Sequence, residues 1–364
     1  MEPTRQRANE PTKNKDLRPG LWRALARRRG AALGLLFLIL LGLTAYLAPV
    51  LANNKPLYIR YDGKTHFTAF RDLFPAILLL RPDPVSLRLQ QDPDWLLNLA
   101  TLPDPKVGRV MLPPVPYGPL QQRLDDVNSG PSARTRHYFG CDDNGRDVLS
   151  RMVHGAKVSL LVGLLAVGLS GLLGVMIGAL AGYAGGWLDT LVLSRLMEVM
   201  ACFPTFFLIL TVVAVMDPKY LNIWTITLVI ALTAWTGMAR YARAEFMRLK
   251  GADFVSAARA LGASPLRLAV RHILPNALTP LLVNASFEVA GAVLFEAAIS
   301  FLGVGVQPPD PSWGNILNLV TRYWDEWWLG LFPGAAIFLT VLSYNLLGEG
   351  IRDALDPRRA GGEK

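Results

Sequence analysis

Five stretches of this chain carry no charged side chain over 18 residues or more: Ala31–Ala52, Val158–Tyr183, Val199–Met216, Leu221–Ala239 and Leu329–Gly348. A sixth, Asn276–Val306, is interrupted only by Glu288 and Glu296. Runs of that length cross the hydrocarbon of a bilayer as helices, and a soluble chain of 364 residues rarely holds several. We therefore expect an all-α polytopic membrane protein with six transmembrane helices. The chain is 52% hydrophobic with a formal net charge of +9, and the placement of that charge matters more than its sum. Lys and Arg gather in the first 30 residues, in Arg240–Arg271, and at Arg352, Arg358 and Arg359. The short loops Asp217–Tyr220 and Gly303–Trp328 are neutral to acidic. This asymmetry is the positive-inside pattern, and with six spans it puts both termini in the cytoplasm. It assigns the basic charge to the lipid bilayer boundary and not to nucleic acid. Tyr323, Trp324, Trp327 and Trp328 precede the last run as an interfacial belt would.

The expected organisation follows from these runs. Residues 1–30 form a basic cytoplasmic tail, 31–52 the first transmembrane helix, 53–156 an extracytoplasmic (periplasmic) insert, 157–349 a domain of five membrane helices, and 350–364 a second cytoplasmic tail. Arg27–Arg29 ahead of an apolar run resemble a signal peptide, but 22 residues exceed the usual 7–15-residue apolar core, so the run reads as a retained span. The insert holds Pro103, Pro105, Pro113, Pro114, Pro116 and Pro119, which block long helices and central strands. Around Asp62–Gly63, Tyr58–Tyr61 and His66–Phe70 suggest a hairpin. The insert is either a small ordered cap or a wrapping over the outer face.

Within the membrane runs, Gly174, Gly178 and Gly182 recur every four residues and share one helix face, where another backbone can come close. Pro204 inside the third run would kink it. Ionisable groups at membrane depth are costly and mark either a pathway or a pairing. Glu198, one turn after Arg195, fits a pair with it. Glu288 and Glu296, eight residues apart and roughly on one face, either line a cavity or bond to neighbouring helices. Asp142, Asp143 and Asp147 fit solvated carboxylates capping the start of the second span better than an ion site.

Chemistry of the enzymatic kind finds little purchase. No G-x-x-x-x-G-K-[ST] is present, so the chain itself should not hydrolyse ATP. His66, His137, His154 and His272 are scattered, and Cys141 and Cys202 offer neither a disulfide framework nor a zinc spacing, so no metal is expected. An intramembrane hydrolase would need a base beside Ser170, Ser300 or Ser343, and no histidine lies at their depth. A passive channel gives no reason for the passage that follows.

That passage is Asp253–Asn276, DFVSAARALGASPLRLAVRHILPN, polar and basic between two apolar runs. Ala252–Leu261 are mostly helix formers, Gly262 sits where a left-handed residue would end the helix, Ser264 offers a cap, and Pro265 opens a second helix. A short helix, a sharp turn and a helix entering the bilayer make a knob fit to dock on a cytosolic partner.

SAARALGASPLRLAVRHILPN (256–276) resembles the E-A-A…G…I-L-P coupling loop of permease subunits in binding-protein-dependent ABC importers. FGCDDNGRDVLSRMVHGAKVSLLVG (139–163), ISFLGVGVQPPDPSWGNIL (299–317) and NLLGEGIRDALDPR (345–358) resemble the oligopeptide/dipeptide/nickel subfamily, and KPLYIRYDGKTHF (55–67) is similar to the Yej-type peptide permease. Together the passages bracket about 220 residues in the family's order. The resemblance implies a type I ABC importer transmembrane domain whose coupling loop, 251–276, sits in a groove of an ATPase subunit. Ala257, Ala258, Gly262, Leu274 and Pro275 match the pattern, while Ser256 replaces its glutamate and Asp253, one turn earlier, stands on the same face. It further implies a second, unlike permease subunit, two ABC ATPases that use ATP and Mg, a periplasmic solute-binding protein, and a bacterial inner membrane. Peptides are the implied cargo, with nickel or another small solute the alternative, and the chain itself is expected to hold no cofactor.

Overall fold

A computed structural model describes residues 28–73, 83–100, 103–307 and 309–355. Most of the two basic tails lies outside these residues. Five helices are long and apolar enough to cross a membrane, or six when one bent pair counts as a span. The chain is thus a multi-pass membrane protein. The long helices are α1 (Arg29–Tyr46), α2 (Val148–Ala184), α5 (Ile223–Lys250), α7 (Leu274–Phe301) and α9 (Trp327–Leu355). Between α2 and α5 come α3 (Ser194–Ala201) and α4 (Thr205–Val215), and two short helices follow α5 and α7: α6 (Asp253–Ala260) and α8 (Trp313–Asn318).

Three boundaries differ from those read off the apolar runs, each for a local reason. The first helix stops at Tyr46, and Pro49 falls in a separate one-turn helix, Ala48–Leu51, because proline cannot continue a helix begun before it. The third run is not a kinked helix but two, meeting at 78°. Cys202, Phe203 and Pro204 form the break, and Pro204 precedes α4 with a non-helical backbone, φ −58° and ψ 120°. The second helix begins at Val148, so the boundary expected at 156/157 cuts through it.

The bundle forms because small residues let helices touch. α2 packs along most of α5, α7 lies against α2 and α9, and α9 also covers α1. A Cβ at Gly174 would meet the Trp235 carbonyl oxygen at 2.7 Å, at Gly178 the Ala239 oxygen at 2.2 Å, and at Gly182 the Arg243 oxygen at 2.5 Å. These are backbone atoms, which cannot step aside, so the α2–α5 spacing requires glycine three times over. Val162, Ala166, Ile230 and Val293 fill the core where α2, α5 and α7 meet.

The insert is an ordered cap. Strands β1 (Tyr58–Tyr61), β2 (Lys64–His66) and β3 (Val107–Met111) form an antiparallel sheet in the order β2-β1-β3. Asp62 and Gly63 both take positive φ, 50° and 75°, as a tight two-residue hairpin turn requires. The second strand is shorter than the sequence suggested, since Thr68–Arg71 winds into a helical turn. Ile59, Val85, Leu89, Trp95 and Leu96 form the cap's own small core.

The carboxylates ahead of α2 are caps but not solvated ones. Asp147 accepts from the Ser150 N–H at 2.6 Å and from His137 Nδ1 at 2.8 Å while only 1% exposed. Asp142, fully buried, accepts from Arg146 Nε at 2.7 Å and from Arg151. A buried carboxylate needs a countercharge, and Arg151, one turn into α2, supplies it. Trp328, expected in the exposed belt, is buried instead and donates from Nε1 to the Cys141 carbonyl at 3.1 Å. Trp324 and Trp327 remain exposed.

Candidate functional site

The basic passage builds a knob at the end of the bundle opposite the cap. Helix α6 carries Asp253 in its first turn, where a carboxylate meets the positive end of the helix dipole. It ends in a Schellman motif: the Gly262 N–H donates to Arg259 O at 3.0 Å and the Ala263 N–H to Ala258 O at 3.1 Å, with Gly262 at φ +80°. Ser264 then accepts from the Arg267 N–H at 3.4 Å, and Pro265 occupies the first turn of the next helix. Residues Leu268–Ile273 form a wider π-helical turn before Leu274 and Pro275. That turn eases Pro275, which has no N–H, into the start of α7.

The knob is held from within and open outside. Val255, Leu268 and Ile273 are buried against Phe246 and Leu249 of α5. Ser256, Ala257 and Gly262 are exposed, Ala258 is half-buried, and Leu261 and Leu266 stand out at 89% and 74% exposure. Leu274 is half-buried and Pro275 exposed. Asp253 and Ser256, a turn apart, both face outward. The knob thus presents a small-residue surface flanked by exposed leucines on a buried apolar base.

Where the knob joins the bundle, an ion pair that sequence reasoning overlooked fixes the α2–α3 connection. Asp189 accepts from Arg243 Nε at 2.7 Å and Nη2 at 2.6 Å, and from Ser194 Oγ at 2.9 Å. The bidentate geometry ties α5 to the π-helical segment Leu188–Leu193. Lys250 reinforces it by donating to the Tyr183 carbonyl at 2.6 Å. An aspartate just outside an apolar run was the available signal. Its partner, 54 residues on, could not be read from spacing.

The three glutamates meet different surroundings. Glu198 pairs with Arg195 at 2.6 Å on the exposed side of α3, away from the interior. Glu296 is fully buried and accepts from Ser159 Oγ of α2 at 3.2 Å and Ser300 Oγ at 2.9 Å. Ser300 Oγ in turn accepts from the Val306 N–H at 3.2 Å, so this carboxyl binds helix to helix and shapes the loop after α7. Glu288 instead borders an open cavity of about 230 Å³ among α2, α4, α5 and α7. Ser170, Thr205, Thr236, Arg240 and Phe295 share its wall. Arg240, which the sequence marked only as the start of a basic stretch, is the first cation after the 19 uncharged residues Leu221–Ala239. Among the described residues no group of three His, Cys, Asp or Glu side chains converges as a metal site would.

Comparison with known proteins fits this geometry. The family profile described as binding-protein-dependent transport system inner membrane component matches residues 174–361, and the N-terminal TM domain of oligopeptide transport permease C matches residues 20–74. The Pseudomonas aeruginosa di/tripeptide transport system permease protein DppC is 40% identical over 248 residues, 67% of this chain and 80% of that protein. A Brucella suis biovar 1 protein with the provisional name peptide transport system permease protein is 36% identical over 339 residues, 92% of this chain and 90% of its own length. A Brucella abortus protein of the same provisional name is 45% identical over 225 residues, 61% of this chain and 74% of that protein.

Proposed function

This chain belongs to the family of binding-protein-dependent transport system inner membrane components, with the type I ABC transmembrane fold, and from that premise we propose that it forms half of the translocation path of an ATP-driven peptide importer. The peptide cargo comes from the relatives named for di/tripeptide and peptide transport. The chain makes and breaks no covalent bond. A binding protein delivers the peptide on the cap side, and a second, unlike permease subunit completes the path. ATP and Mg are used by two ATPase subunits, and this chain binds no cofactor of its own. Both termini lie in the cytoplasm of a bacterium whose inner membrane holds the complex, as the basic knob and tails favour.

The observation that carries this reading is the knob. Its outer face, exposed Ser256 and Ala257 with half-buried Ala258 and the Gly262 turn, sits in the ATPase groove, and Asp253 takes the polar contact that a glutamate at position 256 would make. ATPase closure pushes on the knob. The buried side chains Val255, Leu268 and Ile273 and the Asp189–Arg243 pair pass that push to α5 and α7, which open the path to one side at a time.

Two substitutions test it. Ala258→Asp puts an unpaired charge into the docked interface, a cost of several kcal/mol, and Gly262→Trp forces a bulky side chain into left-handed backbone. Both are expected to cut uptake of Ala-Ala by vesicles holding the complete transporter at least tenfold, with normal membrane insertion. Wild-type uptake by either inserted variant contradicts the docking assignment.

A further inference from the structure

Two opposite charges line the central cavity without meeting. Glu288 reaches it from α7 and Arg240 from α5, in a wall otherwise made of hydroxyl and apolar side chains. Glu288 Oε1 accepts from Asn284 Nδ2 at 2.8 Å, and a Cβ at Gly237 would lie 3.3 Å from that same oxygen. The missing side chain at position 237 therefore leaves Glu288 room beside α5, one turn from Arg240. Among the described residues neither Glu288 nor Arg240 is joined to a countercharge. The other ionisable groups on these helices behave differently: Glu296 is saturated by hydroxyls, and Arg243 and Glu245 are paired.

Glu288 is half-buried in this wall and Arg240 is exposed at it, and covering either charge with a ligand that offers no countercharge costs free energy. A ligand carrying one charge would relieve only one of them. A ligand with an ammonium group at one end and a carboxylate at the other relieves both. We infer that Glu288 receives the α-ammonium group and Arg240 the α-carboxylate of a short peptide with free termini as it passes through the cavity. The inference rests on the reading of the chain as a peptide permease and adds the two groups that recognise the cargo. Termini are common to all peptides, whereas side chains differ. The hydroxyls of Ser170, Thr205 and Thr236 and the ring of Phe295 offer neutral contacts that suit varied side chains. Recognition of the ends alone would let one cavity accept many sequences and disfavour blocked ones.

The test measures binding of labelled Ala-Ala to the purified complex of both permease and both ATPase subunits, without nucleotide or binding protein. Unlabelled Ala-Ala, N-acetyl-Ala-Ala and Ala-Ala amide serve as competitors. The wild-type complex is expected to prefer Ala-Ala over each blocked peptide by about tenfold, the size of one lost charge-assisted hydrogen bond. Glu288→Gln should abolish the penalty for N-acetylation and keep that for amidation, and Arg240→Gln should do the converse. Glu288→Asp, which keeps the charge, should retain both penalties. Equal competition by blocked and free peptides in the wild type overturns the inference, even if a Gln variant fails to assemble. So does a Gln variant that preserves both penalties or removes both. Uptake of Ala-Ala by vesicles with the complete transporter separates this outcome from a deeper one. If Ala-Ala enters while blocked peptides bind equally well, only the terminal recognition fails; if no peptide enters, the peptide reading itself fails.

Discussion

Single residues in this protein take their roles from partners far away in the chain. Cys141 is fully buried beneath Trp328, and burial pushes its thiol up to about 12. The thiolate is the reactive form, so the native protein should not alkylate at Cys141 near neutral pH. The sign of the pH dependence follows from the shift. The thiol is protonated in the fold up to about 12 and ionises earlier in the unfolded chain, so its contribution is intact below the ordinary thiol range and lost as pH rises toward 12. Maleimide labelling near neutral pH with mass mapping checks the burial: Cys141 should stay unlabelled in native protein and label after denaturation. Rapid native labelling at Cys141 contradicts it. The glutamates teach the same lesson. Eight-residue spacing put Glu288 and Glu296 on one face, but only the fold shows that Ser159, 137 residues earlier, claims Glu296 and leaves Glu288 to the cavity.

At the scale of elements, the α2–α5 pair is set by glycines whose spacing alone announced close approach. Gly178 tests how strict that contact is. Its Cβ position lies 2.2 Å from the Ala239 carbonyl oxygen, so Gly178→Ala must push the helix backbones apart and should destabilise by about 1–3 kcal/mol, as overpacking does. Gly168, on the same helix with open space around it, provides the comparison. Gly168→Ala should be neutral or gain up to about 1 kcal/mol from helix propensity. Thermal unfolding of the purified complex distinguishes them: a lower Tm for the first and an equal or higher one for the second. Equal Tm values would mean that the helices separate without cost. Other elements were less legible. Apolar length located the five long helices among the described residues, yet it could not place the 78° break, because Pro204 is compatible with either a kink or a new helix. The Schellman turn at Gly262 was readable because its chemistry is local. The third strand, Val107–Met111, escaped notice because its pairing with Tyr58–Tyr61 is long-range and prolines crowd that segment.

The whole molecule has three parts, a cap, a bundle and a knob. The cap is anchored to the bundle by the Trp328–Cys141 bond and the buried Asp142 network, so it moves with α2 and α9. The knob is anchored by Val255, Leu268 and Ile273, so it moves with α5 and α7. Between them lies the cavity, bounded by the helices that the knob would tilt. The central claim is that an ATP-hydrolysing subunit grips this knob. It is tested most directly by site-specific crosslinking in a chain whose Cys202 is replaced by serine, with a new cysteine at Ala257 and a short thiol-reactive crosslinker. The account predicts a covalent adduct with the ATPase subunit whose yield changes between nucleotide-free and ATP-bound states, and none from a cysteine placed at Leu124 on the cap. Failure to trap a nucleotide-binding protein from any exposed position of Asp253–Gly262 contradicts it.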